Sequence, residues 1–209
     1  HRPATAVFTD SFWPQAPHDL RDAADHIFTV PDALMAGISG LESPAGVGFV
    51  WDLPVATALR AGQGAVVLDR LQDAGNVGSI LRSAAAMGFA QVLAIKGTAA
   101  LWSPKVLRAG MGAHFALHLV EGLSVDDLHT LGAPLLVTSS HRGDFLHQTT
   151  LPWPCAWVLG HEGQGVSPAL ESMASTSVRI VQPGGEESLN VAAAAAICLH
   201  ASATGRAGH

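Results

Sequence analysis

The stretch that decides the fold runs from residue 65 to residue 87: Ala65-Val-Val-Leu-Asp69, then Arg70-Leu-Gln-Asp-Ala-Gly75, then Asn76-Val-Gly-Ser-Ile-Leu-Arg82-Ser-Ala-Ala-Ala-Met87. The first piece is a short apolar run, which predicts a buried strand. The last has a helical pattern, opened by Asn76 as a candidate N-cap and closed by Gly88. A strand, a short polar turn and a helix in that order form the unit from which α/β domains are built.

The same alternation continues toward the C-terminus. Gln91–Ile95, Leu135–Ser139, Ala156–Leu159 and Ser177–Val181 read as strands. Ser103–Gly110 and Ser167–Met173 read as helices, each opened by Ser and then Pro. Ser124–Leu131 reads as a helix opened by Ser with Asp127 three residues on. Leu189–Ala201 is an Ala-rich helix, apolar nearly all round, and so predicted to be buried. This order predicts an α/β fold with a mostly parallel sheet. Toward the N-terminus the pieces are shorter: strands at Ala6–Thr9, Ile27–Val30 and Gly46–Trp51, and a helix over Pro31–Ile38. Asp52-Leu-Pro54 and the loop Ala61-Gly-Gln-Gly64 put a domain boundary near residues 54–63.

With 48% hydrophobic and 13% charged residues, the 209-residue chain can bury a sizeable core and is not of the disordered class. No signal peptide is visible, and no apolar run reaches the roughly 18 residues of a membrane span, so a soluble cytoplasmic protein is expected. Cys155 and Cys198 are far apart in apolar surroundings, which predicts two buried thiols and neither a zinc site nor a disulfide. His114 and His118 have i,i+4 spacing but no accompanying carboxylate or Cys, and read as structural. The net charge of −6 is unevenly spread: residues 60–112 hold six basic and two acidic residues, a net of +4. Arg60, Arg70, Arg82, Lys96, Lys105 and Arg108 therefore offer either a local basic face for RNA or a solvated surface.

Three segments share one property: each joins a strand end to a helix through Gly, Asn, Ser or Glu. In open α/β sheets ligands bind outside the carboxyl ends of strands. In the first, Asn76 and Arg82 lie across the first turns of a helix, whose N–H groups suit anions; alternatively Asn76 is a cap and Arg82 a surface charge. The second, Val158-Leu-Gly-His-Glu-Gly-Gln-Gly165, has the spacing Gly160-x-x-Gly163-x-Gly165 and not GxGxxG, so a nicotinamide-binding loop is disfavoured. Glycines there let the backbone approach a flat ligand, with Glu162 inside the loop either functional or an exposed turn carboxylate. In the third, Pro183-Gly-Gly-Glu-Glu-Ser-Leu-Asn-Val191, Ser188 and Asn190 straddle the start of the Ala-rich helix, where Ser188 could equally be its cap.

Taken in order, NVGSILR, LGHEGQGVSP and ESLNVAAAAAICL resemble the three motifs of the SpoU branch of the SPOUT superfamily, the RNA ribose 2′-O-methyltransferases, over about residues 64–204. Residues 1–54, through Leu41-Glu-Ser-Pro-Ala-Gly-Val47, resemble more weakly the small RNA substrate-binding domain that often precedes this domain, as if its first strand and helix were absent. The resemblance implies a partial substrate-binding domain at 1–54, a linker at 55–63 and a methyltransferase domain at 64–209 with a C-terminal deep trefoil knot. It implies a homodimer, with the site completed near the subunit interface. The implied cofactor is S-adenosylmethionine (AdoMet), contacted by Thr138, Leu159, Gly160, Ile180 and Leu189, and the implied substrate is rRNA or tRNA. The family's polar residues match at Asn76, Arg82, Glu162, Ser188 and Asn190. Family members often carry Pro after the position of Ile180; here it is Val181, with Pro183 two residues on.

Arginine is a poor general base because its pKa exceeds about 12. Arg82 is therefore expected to bind the neighbouring phosphate and stabilise alkoxide charge, while Asn76, Glu162, Ser188 and Asn190 orient the ribose, the loop and Arg82. No metal is expected, since a sulfonium already carries an activated methyl. Two rivals stand beside this reading: a guanine N1-type base methyltransferase, which calls for a general-base carboxylate, and a non-catalytic RNA-binding homologue.

Overall fold

The computed structural model describes residues 2–39, 43–53, 58–139, 142–185 and 189–207. The chain divides into two compact units, His1–Val55 and Ala56–His209.

In the first unit, β1 (Thr5–Thr9) lies between β2 (His26–Val30), parallel to it, and β3 (Val47–Val50), antiparallel. Alternate β1 residues Ala6 and Phe8 are buried, as a half-covered strand requires. They pack with Ala16, Ala24, Phe12 and Trp13 around a short helix, α1 (His18–Arg21). This helix and the 3-10 turn Trp13–Gln15 lie in a stretch that shows no apolar periodicity. A second helix, α2 (Asp32–Ser39), buries only Met35.

The second unit begins with β4 (Ala65–Asp69) and α3 (Ala74–Ala86), followed by β5 (Gln91–Ile95), α4 (Pro104–Gly110) and β6 (His118–Leu123). Then come β7 (Leu135–Thr138), β8 (Asp144–Phe145), β9 (Ala156–Gly160), α5 (Pro168–Met173), β10 (Thr176–Arg179) and α6 (Val191–Ala207). Among the described residues seven strands form one sheet, ordered β6-β5-β4-β9-β7-β10-β8 and parallel at every pairing. β4, β5 and the first four residues of β9 are buried, which is why they are apolar apart from Gln91 and Asp69 at strand ends. One face packs against α3, α4 and α6 around Trp157, Leu68 and Ile80; the other holds Val67, Leu93, Val158 and Leu170.

Several sequence expectations need correction. The cap of α3 is Asp73, whose carboxylate accepts the Asn76 backbone N–H at 2.7 Å. Asn76 sits in the first turn instead, and its side chain is free for other partners. Ser124–Leu131 is not an α-helix: Ser124 donates its N–H and hydroxyl to Asp127, and a 3-10 turn follows over Asp126–Thr130. α6 is not buried all round, since Ala193, Ile197, His200 and Thr204 are exposed. Ser103 and Ser167 stand at the N-cap positions of α4 and α5 without side-chain capping bonds. The six basic residues of 60–112 do not form one face. Arg60 is tied by its backbone to the Gln91 amide at the amino end of β5, whereas Arg70 and Lys96 follow the carboxyl ends of β4 and β5.

Cys155 and Cys198 are free and buried. His114 is buried and bonded through Nε2 to the Leu101 carbonyl at 2.8 Å, and His118 reaches the Ala58 carbonyl at 3.0 Å. No helix among the described residues is long and apolar enough to cross a membrane.

Candidate functional site

The strand order reverses between β4 and β9: β4, β5 and β6 step outward one way, and β9, β7 and β10 the other. Loops leaving neighbouring strands diverge at such a point and open a crevice at the carboxyl edge. On the β9 side of this point is a cavity of about 550 Å³ lined by the ends of β7 and β9, the loop 160–166, Ile180, Gln182 and the start of α6. Thr138, Gly160, Ile180 and Leu189 line it, as do Glu162 and Asn190. Leu159 is buried in the core beneath and is not among the lining residues. Ser188 lies outside the described residues.

The glycine-rich loop folds back on its own strand. Gly165 donates its N–H to the His161 carbonyl at 2.8 Å, and His161 Nδ1 accepts the N–H groups of Gly163 (3.0 Å) and Gln164 (3.3 Å). A Cβ at Gly160 would collide with the Gly165 and Val166 backbone, and Gly165 has φ +71°. Gly160 requires glycine for that reason, and the left-handed backbone at Gly165 favours it. The loop thus lines the cavity with three glycines beside His161, Glu162, Gln164 and Val166.

A chain of hydrogen bonds joins the three sequence segments. Asn190 Oδ1 accepts the N–H groups of Ala192 (2.9 Å) and Ala193 (3.2 Å), so Asn190 caps α6. Its Nδ2 donates to Asn76 Oδ1 at 3.0 Å, and Asn76 Nδ2 donates to Glu162 Oε1 at 3.3 Å. Glu162 also accepts the backbone N–H groups of Gln72 (3.3 Å) and Asp73 (3.2 Å). Burial pushes the Glu162 carboxyl up, but hydrogen bonds from its own backbone, Asn76, Asp73 and Gln72 outweigh that and hold it below its ordinary value. Glu162 is therefore ionised at neutral pH and ties the loop to the β4–α3 turn, a role unlike that of a base poised near neutrality.

A second set of contacts lies beside the first. Buried Asp69 accepts the Ser167 N–H at 2.6 Å and pairs with Arg70 Nε at 3.0 Å. Arg70 Nη1 reaches Gln164 Oε1 at 3.0 Å. Asp69 and Arg70 lie in the stretch 65–87 and His161 and Gln164 in the second segment, but the sequence marked none of the four as a site residue. The available signal was their position, at or just after the carboxyl ends of β4 and β9.

Arg82 is not brought to this cavity within one chain. It is exposed on α3, in a shallow depression with Ser79, Ser83, Ala86 and Met87, and its guanidinium has no polar partner among the described residues.

Fold and site together define a parallel α/β protein with a cavity of small-ligand size at the carboxyl ends of its central strands. The model of the SpoU rRNA Methylase family matches residues 63–200, and the chain belongs to that family. It is 31% identical over 190 residues to the 23S rRNA (guanosine(2553)-2'-O)-methyltransferase RlmP of Bacillus subtilis, covering 88% of this chain and 75% of that protein. The AdoMet complex of the SpoU methyltransferase AviRb from Streptomyces viridochromogenes matches with a TM-score of 0.85 and 25% identity, over 99% of this chain and 84% of that one. A TrmH-family protein from Porphyromonas gingivalis matches with a TM-score of 0.82 and 32% identity, over 96% of this chain and 82% of its own.

Proposed function

We propose that this chain transfers a methyl group from AdoMet to a ribose 2′-hydroxyl of ribosomal or transfer RNA. The observation that carries the reading is the cavity at the carboxyl ends of β7 and β9, lined by four of the five residues expected to contact the cofactor. Its volume of about 550 Å³ is within the range of small-ligand sites. The donor set also fits. Main-chain groups of the glycine loop suit the polar edges of a nucleoside, while Ile180, Leu189 and Val191 offer apolar cover. AdoMet, when bound, supplies a methyl already activated on a sulfonium, so the chain needs no Lewis acid.

The residues of the chain then orient, exclude water and stabilise charge. Glu162, Asn76 and Asn190 fix the loop, the turn and the start of α6 relative to one another. Arg82 is assigned to the substrate phosphate and to the developing alkoxide. Since its guanidinium lacks a polar partner, we assign it to a site completed in a homodimer near the subunit interface. Exposed Leu107, Met111 and Ile197 on the α4 and α6 side support that assembly. We further propose that the C-terminal segment threads into a deep trefoil knot, a reading supported by β9 lying between β4 and the earlier-made β7 and by α6 packing on α3 and β9. Residues 1–54 are assigned to a partial RNA substrate-binding domain, 55–63 to a linker and 64–209 to the methyltransferase domain, acting in the cytoplasm.

The base-methylating alternative calls for a free carboxylate beside the methyl. Glu162 and Asp69 are both engaged with backbone and side-chain donors, which favours ribose. The test is methyl incorporation from labelled AdoMet into RNA lacking the modification, with the product mapped by nuclease resistance. Arg82→Ala should abolish transfer while leaving AdoMet affinity within about threefold; retained turnover refutes its role. Modification at a base atom refutes the ribose assignment, and absence of AdoMet binding favours a non-catalytic RNA-binding protein.

A further inference from the structure

We infer that Asp69 and Arg70 form a clamp that sets the glycine-rich loop for AdoMet, with Arg70 a positioning residue acting through Gln164. The inference rests on the AdoMet reading given above.

The loop 160–166 supplies nearly half of the cavity wall and contains three glycines, so its own backbone restrains it little. Its internal bonds all converge on His161, and what fixes it against the sheet comes from outside. Glu162 ties its first half to the β4–α3 turn. The second half is tied to the end of β4 by a separate route: Asp69 Oδ2 takes the Ser167 N–H at 2.6 Å, and Arg70 Nη1 donates to Gln164 Oε1 at 3.0 Å. The ion pair that makes both ties is itself fixed. Asp69 is 1% exposed, and Arg70 Nε and Nη2 meet its two oxygens at 3.0 and 3.4 Å.

The backbone of Arg70 points the same way. Its φ is +60°, in the left-handed region where glycine or asparagine is the ordinary occupant. Its neighbours enforce that conformation: the Arg70 N–H donates to Thr98 Oγ1 at 3.1 Å, and the Arg70 carbonyl accepts from Gln72 Nε2 at 3.4 Å. Glycine would meet the backbone requirement with less strain, so the side chain supplies something glycine would not. Three of the guanidinium's five N–H groups are spent on Asp69 and Gln164. A loop ordered before the ligand arrives loses less freedom on binding, so the clamp acts on affinity and leaves the chemical step alone.

The test is calorimetric titration of AdoMet into the full chain and into Arg70→Gly, Gln164→Ala and the double variant, with steady-state methyl transfer to RNA alongside. Arg70→Gly removes the side chain and relieves the backbone. Gln164→Ala alters a loop residue that also lines the cavity, and keeps the test available even if Arg70→Gly folds poorly; loss of a direct AdoMet contact would multiply with the effect of Arg70→Gly. Each single change should raise the AdoMet Kd about tenfold, with kcat at saturating AdoMet within about twofold. The double variant should bind no worse than the weaker single one, because both remove one contact. Unchanged Kd in both single variants, or effects that multiply in the double variant, overturns the clamp. So does a rise only in the KM for RNA that steepens with salt, which would make Arg70 a phosphate contact. If the unaltered chain fails to bind AdoMet, the parent reading falls and the clamp with it; normal binding with indifferent variants removes the clamp alone.

Discussion

Asn76→Asp keeps the shape of the side chain and its capacity to accept the Asn190 amide, but turns the group facing Glu162 from a donor into a second carboxylate. The two oxygens would stand where Nδ2 and Oε1 now meet at 3.3 Å. Two unit charges at about that distance repel by about 1 kcal/mol in bulk water and by about 5 kcal/mol at an effective dielectric of about 20. Glu162 is exposed, so the lower figure governs. The lost hydrogen bond adds about 1 kcal/mol, giving a penalty of about 2 kcal/mol at neutral pH. The pH dependence has a definite sign. The Glu162 carboxyl is held below its ordinary value, so its contribution to the native protein is full above that value and is lost as pH falls through the lowered one. In Asn76→Asp the repulsion raises both carboxyl pKa values, and one proton shared between the pair restores a donor. The penalty should therefore shrink between about pH 7 and about pH 4.5. Urea unfolding followed by circular dichroism, at both pH values and in the Glu162→Gln background, measures it. An equal penalty at the two pH values, or one that persists with Glu162→Gln, would refute the argument.

Gly160→Ala should weaken AdoMet binding by more than about tenfold, because the new methyl must displace the Gly165–Val166 backbone; calorimetric titration with an unchanged Kd would contradict this. Ser202→Ala leaves the buried Trp157 indole N–H, now donating to Ser202 Oγ at 2.9 Å, without its acceptor. The expected loss is about 1–3 kcal/mol in urea unfolding, and an unaltered midpoint would show that another acceptor serves. Burial pushes the Cys198 thiol up to about 12, so iodoacetamide near neutral pH should label it only after unfolding. Rapid labelling of the native chain, read by mass spectrometry, would disprove that.

Where one local rule sufficed, the fold was legible from the chain. The runs at Ala65–Asp69 and Gln91–Ile95 are strands at the predicted bounds because full burial leaves them no polar residue until the edge. β6 escaped notice because His118 and Glu121 interrupt an edge strand that is only half covered. The choice of Asp73 over Asn76 as cap could not be read locally, since both are good caps. Tertiary partners decide it: Glu162 and Asn190, 86 and 114 residues away in sequence, claim the Asn76 amide. The exposed stripe on α6 was hidden by its composition, because alanine suits a covered and an open face equally. Of the site, the polar set was visible through the motif order. The Asp69–Arg70 pair was not, because a left-handed backbone at a strand end leaves no mark in the residue type when that residue is arginine.

The placement of β9 dictates an order of assembly. β4 and β7 each pair with β9 in the finished sheet and not with each other. As the chain emerges from the ribosome, both strands are complete while the segment that must lie between them is still being synthesised. Each carries an unpaired edge until Ala156–Gly160 has been added and inserted, and the binding crevice must wait longer still, for Asn190 and the helix it starts. Ligand can therefore stabilise this domain only after the start of α6 has been made, and until then the half-made sheet depends on its own exposed edges staying apart.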